Sequence, residues 1–401
     1  MSRLLRARIA VIGAFAVNGF LLASWVVSIP QVEERAGLSH ATLGSILLLM
    51  GLGSFVSMQV GGWLVDRVGS RLVTIVALAI LAVTVTLPAF AVEAGTPVLA
   101  LAVLAIGLGN GAVDVGMNAH AVQVERALGR PVMSGFHACW SIGGAIGAGV
   151  GAIARGQGVG LTPYLLGAAV AGALAAAATL PGLLPPYDGS AAADETPVRA
   201  ALTPDRGRIV GLALLAFVLM LAEGVAADWS ALHARDHLDA GSAAALAYAS
   251  FAVAMTAGRL VADRVTERVG PVAVVRWGAV TAAAGMLLAV VSPVLPLTLV
   301  GWAVFGLGLS GTVPQIFSAA GAMSDAGGGV IMSRIVGAGY LGLLAGPAVI
   351  GWLASGTSLG VALLLPSVLC LLAVRWAGLL RPDGSDEAVL VREDDDLDPV
   401  P

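Results

Sequence analysis

The sequence predicts an all-α integral membrane protein of twelve transmembrane helices in two pseudo-symmetric six-helix bundles. Three observations carry that expectation. Apolar residues fill 58% of the 401 positions and charged residues only 11%. Soluble domains carry about 25% charged residues, so this chain cannot coat a water-facing surface. Long apolar runs recur along its whole length, and a short Asp-Arg turn appears in both halves.

The apolar runs cover 9–30, 40–62, 72–93, 97–121, 134–155 and 160–183, then 208–232, 242–264, 272–291, 294–320, 330–354 and 357–379. Each can cross a hydrocarbon core of about 30 Å as a helix. Helices are expected over strands, because backbone groups in lipid must be satisfied internally and the runs lack barrel alternation. The run from Ile9 to Pro30 exceeds the roughly 7–15 residues of a signal-peptide core and reads as the first span. The stretch from Pro185 to Arg208 is rich in Pro, Asp, Ser and Glu. The expected domains are therefore a first bundle over 1–183, a linker over 184–207 and a second bundle over 208–380. An acidic tail over 381–401 follows.

All 21 Lys-or-Arg positions are Arg. With the N-terminus placed inside, only Arg35, Arg155 and Arg235 fall in outer segments; the others, Arg259 among them, fall in inner ones. That bias predicts a plasma (inner) membrane protein with both termini cytoplasmic.

Several function classes lose support. No basic stripe points to nucleic acid. Cys139 and Cys370 are isolated in apolar runs and give neither metal spacing nor a disulfide framework. No nucleotide-binding loop and no catalytic cluster with a known motif is present, so neither an enzyme nor a cofactor is expected. The expected partners are the lipid bilayer, a small-molecule substrate and protons, and the expected unit is a monomer.

The loop after span two contains Gly62, Asp66, Arg67, Gly69 and Arg71, and Asp263 and Arg264 recur after span eight. A parallel repeat of this kind is typical of rocking transporters with a central site. The first copy resembles the loop signature of the major facilitator superfamily, Gly-x-x-x-Asp-Arg-x-Gly-x-Arg/Lys. The resemblance implies that this loop helps hold one transport conformation by contacting helix eleven. A carboxylate at a helix N-terminus contributes typically 0.3–1 kcal/mol, roughly 2 when partly buried.

Span four resembles the fucose-permease-like branch more finely, through Asp114-Val115-Gly116-Met117-Asn118 and the following Val124 to Pro131. Its bypass-of-stop-codon-like members are the nearest in pattern. The resemblance implies proton coupling at Asp114, four before Asn118. The permeases also carry an acid in span one. This chain has Asn18, Ser24 and Trp25 there instead, so the resemblance does not fix a sugar as cargo.

The residues themselves point the same way. A central Asp costs about 2.5–3.5 kcal/mol in a membrane helix and belongs on an interior face. Asn110, Asp114 and Asn118 share one stripe at four-residue spacing, which fits either a cavity lining or interhelical hydrogen bonds. Glu223 lies deep in span seven and Asp228 nearer its outer end, where it can meet Arg235 or the interface. Trp25 and Trp229 suit either a cargo ring or an interfacial belt. Gln315 beside Pro314, and Tyr340 and Ser333 on one face of span eleven, complete the cavity candidates; Pro314 predicts a bend.

The leading expectation is a proton-coupled secondary transporter of a small polar, sugar-like solute, with Asp114 and Glu223 as proton sites. An efflux antiporter for a drug or metabolite, and a sensor or scaffold keeping the transporter fold, stand as alternatives.

Overall fold

The computed structural model describes residues 2–185, 206–323 and 329–381. The expected linker, apart from its first and last two residues, and the expected acidic tail beyond Arg381 lie outside the described residues. Among those described, no strand occurs. Eleven helices are long and apolar enough to cross a membrane. One of them, Ala245–Val291, has 47 residues and would span about 70 Å if straight, too long for one crossing. It breaks at Gly270, where φ is 78° and ψ is 161°. Counting its two parts gives twelve crossings.

The first six are α1 (Arg3–Ala36), α2 (His40–Val68), α3 (Ser70–Ala91), α4 (Thr96–Leu128), α5 (Met133–Gly156) and α6 (Leu161–Thr179). The second six are α7 (Arg206–Leu238), α8 (245–269), α9 (271–291), α10 (Leu295–Ala322), α11 (Gly329–Gly356) and α12 (Leu359–Leu380). Every expected span is present. The largest boundary shifts fall at the end of α4, at both ends of α1 and at the ends of α2 and α7, which run past the apolar residues as further helical turns. The bend expected from Pro314 falls one turn before it, because its missing N–H and its ring leave the Ser310 carbonyl without a helical partner. The helix is interrupted there, at Ser310 and Gly311, between Leu295–Leu309 and Thr312–Ala322.

The halves repeat one packing scheme. In the first, α1 packs on α5 and α2 on α4; in the second, α7 packs on α11 and α8 on α10. Glycine explains the closeness. A Cβ at Gly143 of α5 would collide with the Ala16 carbonyl of α1, and one at Gly342 of α11 with the Phe217 carbonyl of α7. Without Cβ atoms the backbones approach directly, which drives helix association in lipid. The two bundles meet along α2 against α11 and α5 against α8, again corresponding pairs.

Large apolar side chains cover the outside: Val253 is 69% exposed, Leu174 67% and Trp352 76%. Such a surface is stable only against lipid, and the chain is a multi-pass membrane protein.

Candidate gate and central site

The candidate gate begins with unfinished helix ends. The first four N–H groups of a helix lack intrahelical acceptors. At the start of α5, Glu125 Oε2 accepts from Val132 N (2.8 Å) and Met133 N (2.9 Å). Asp263, from the opposite bundle, accepts from Ser134 N (2.9 Å) and Gly135 N (2.7 Å). Two carboxylates thus satisfy the whole turn. At the start of α11, Asp66 accepts from Gly329 N (2.7 Å) and Val330 N (3.0 Å). The contact of this loop with helix eleven, implied by the family resemblance, is present in this form, and its counterpart on α5 mirrors it.

Other links cross the bundles at the same end, which also gathers most of the arginines. Arg126 donates to the Gly321 carbonyl. Gln59 donates to the Ser333 carbonyl at 3.2 Å. Gln315, a cavity candidate, reaches Ser134 Oγ across the interface at 3.5 Å. Gly62 lets α2 approach α11 so closely that a Cβ would strike the Gly329 carbonyl and Ser333. Gly69, with φ 86°, makes the sharp exit from α2 that only glycine adopts readily. Arg67 lies over the Trp63 ring at 3.9 Å. Arg71, at the start of α3, lies within electrostatic reach of His120, whose ring also takes Ser70 Oγ at 2.8 Å. Arg264 lines a pocket beside Asp263.

Above these contacts, polar side chains form a chain through the centre. Trp140 Nε1 donates to Asn18 Oδ1 at 2.6 Å, and Asn18 Nδ2 to Asn110 Oδ1 at 3.1 Å. Asn118 Nδ2 donates to the Asp114 carbonyl at 2.9 Å and reaches Asp114 Oδ1 at 3.4 Å. His137 Nε2 lies 3.2 Å from Asn118 Oδ1. Asn110 and Asn118 therefore make interhelical hydrogen bonds. Tyr340 comes from the second bundle to interact with both Asn110 and Asp114. Asp114 Oδ2 is buried without a hydrogen bond.

Arg259 corrects the sequence reading. It is not a surface marker of an inner loop: α8 continues past it, and it is 5% exposed. Its Nη2 stands 3.3 Å from Glu223 Oε1 and its Nη1 donates to Ser141 Oγ of the first bundle at 2.8 Å. Its Nε is buried without an acceptor. Asp228 does not use Arg235, whose partner is Asp236 at 2.8 Å. Trp25 is fully buried, away from any lipid interface, and Trp229 donates to the Pro347 carbonyl at 3.2 Å, a packing role within the second bundle.

The Major Facilitator Superfamily family model matches residues 11–232. The chain belongs to the major facilitator superfamily. An uncharacterised MFS-type transporter of Yersinia pestis is 35% identical over 352 residues, covering 87% of this chain and 89% of that protein. An uncharacterised transporter of Sinorhizobium fredii is 33% identical over 388 residues, covering 95% and 100%. Among solved structures, the human organic anion transporter MFSD10 superposes with a TM-score of 0.74 at 16% identity, and the Escherichia coli fucose:proton symporter FucP with 0.72 at 17%. Each covers 95% of this chain and 100% of its own. At those identities the superpositions speak for the superfamily fold.

Proposed function

We propose that this superfamily member is a proton-coupled secondary transporter of a small polar, sugar-like solute, working by alternating access. In this reading the arginine-rich end is cytoplasmic and the structure stands closed on that side. The double carboxylate capping by Asp66 and Asp263 supports the closure, because both contacts must break for the bundles to part there. Towards the other end, Tyr248 lies within electrostatic reach of Glu223, Asp228 and Arg259, which puts polar groups on the path that alternating access would open from outside.

One observation carries the proposal. On the first bundle the centre presents a buried acceptor, Asp114 Oδ2, with no donor at hydrogen-bond geometry, although the Tyr340 hydroxyl interacts with the same carboxylate. On the second it presents a buried donor without an acceptor, Arg259 Nε. A buried polar atom left unpaired costs about 1–3 kcal/mol. A proton or a cargo hydroxyl removes that cost at Asp114, and a hydroxyl or ether oxygen removes it at Arg259. Such groups occur together on sugars and polyols. The similarity to the fucose-permease-like branch, whose solved member is titled a proton symporter, agrees.

The test is transport by Asp114→Asn in proteoliposomes under an imposed pH gradient. Proton-driven accumulation should vanish while counterflow of bound substrate persists. Undiminished proton-driven uptake would refute the assignment. Comparing intracellular solute levels in cells with and without the protein gives the direction, and higher levels without it would mean export.

A further inference from the structure

A pocket of about 480 Å³ lies at the arginine-rich end, lined among others by Arg8, Arg130, Arg264, Arg268, Asp263 and Glu267. It spans both bundles: Arg8 comes from α1 and Arg130 from the turn after α4, Arg264 and Arg268 from α8. Four guanidiniums against two carboxylates leave a formal charge of +2. Both oxygens of Asp263 are already held by the first turn of α5, and Glu267 stands a loose 4.0 Å from Arg130. The buried Nε of Arg8 has no acceptor. The backbone N–H groups at the start of α5 are taken by Glu125 and Asp263, so the guanidiniums are the available donors.

We propose that this pocket binds a phosphate group, supplied by an anionic lipid headgroup or from solution. Guanidinium forks match phosphate oxygens bidentately. Basic pockets between transmembrane helices on the cytoplasmic side hold lipid phosphates, and that placement rests on the orientation proposed above. Because the walls come from both bundles, the site exists only while this end is closed. Phosphate therefore favours the closed form, and the closed form favours phosphate to the same extent.

Cys139 lines the pocket and is partly exposed, whereas Cys370 is fully buried. The full chain is placed in nanodiscs of phosphatidylcholine, with or without phosphatidylglycerol, and in phosphatidylcholine with added inorganic phosphate. Alkylation of Cys139 is timed in each, and silence of Cys370 reports an intact fold. Occupancy should slow Cys139 about tenfold with phosphate at ~10 times its dissociation constant. The Arg130→Gln/Arg268→Gln variant should remove the protection. Protection by phosphatidylglycerol alone identifies a headgroup site; protection by inorganic phosphate identifies a soluble source. No protection in either arm overturns the proposal. So does protection already complete in phosphatidylcholine: the acidic tail is then the occupant if deleting residues 382–401 abolishes it, and otherwise a zwitterionic headgroup is, not an anionic lipid or free phosphate. Nanodiscs expose both faces and the readout needs no transport, so loss of the Asp114 assignment leaves this result interpretable.

Discussion

Asp66 and Asp263 perform one task from different turns of corresponding helices. Each holds two consecutive N–H groups at the start of a helix in the opposite bundle. Asp66 lies three residues before the left-handed Gly69, whereas Asp263 lies seven before Gly270. Glu267, three before Gly270, occupies the register of Asp66, and among the described residues its ion pair is the exposed contact with Arg130. The repeat has kept its helix-capping chemistry while its position has moved by one turn.

Asp66→Ala and Asp263→Ala should each weaken the closed end by about 1 kcal/mol, roughly a fivefold shift in population. The sites are separate, so the effects should add in the double variant. Spin-label distances between α2 and α11 at the arginine-rich end measure this. An unchanged distance distribution in the double variant would remove the gate from the account.

Gly62→Val should hold α2 and α11 apart, since its Cβ meets the Gly329 carbonyl and Ser333. The same labels should then report the open form while the protein stays folded. Gly44→Ala, whose Cβ meets nothing within 4 Å, is the control. Equal distances in both variants would argue against close backbone approach as the condition for closure.

The ion pair of Glu223 and Arg259 is unequally buried, with side-chain exposures of 24% and 6%. Removing one partner of a buried pair costs about 3–5 kcal/mol, and the deeper charge suffers more when stranded. Glu223→Gln should therefore lower the melting temperature in detergent more than Arg259→Met, and the double variant should recover much of the loss. A double variant at least as unstable as both singles combined would contradict this.

Gly143→Ala should destabilise the first bundle by about 1–3 kcal/mol through overpacking, because its Cβ collides with the Ala16 carbonyl. Gly149→Ala on the same helix meets open space and should leave stability unchanged or raise it by up to about 1 kcal/mol, since alanine is the better helix former. Thermal unfolding of the two variants decides it, and matching curves would count against the packing argument.

The spans were legible because each is a local property of composition. The capping role of the Asp66 loop was legible through its motif. The central network was not. Trp140 and Asn18 are 122 residues apart, and Arg259 and Ser141 118, so no window contains both partners. Arg259 was misplaced because it was counted with its neighbours Arg264 and Arg268 at the end of an apolar run. The available signal was its position, inside the run 242–264 rather than beyond it. Glu125 gave no signal, since its acceptor role depends on how the turn after α4 folds back onto α5.

The depth of Arg259 also bears on how the chain is made. A lone arginine at a helix centre opposes translocon insertion by about 2.5–3.5 kcal/mol. Its carboxylate partner sits on the preceding span, α7. α8 should therefore wait beside the translocon until α7 can shield it, and the two should enter the bilayer as a hairpin. Biogenesis of the second bundle would then depend on the order of synthesis, and a ribosome-stalled chain truncated to begin at α8 should leave that helix outside the membrane.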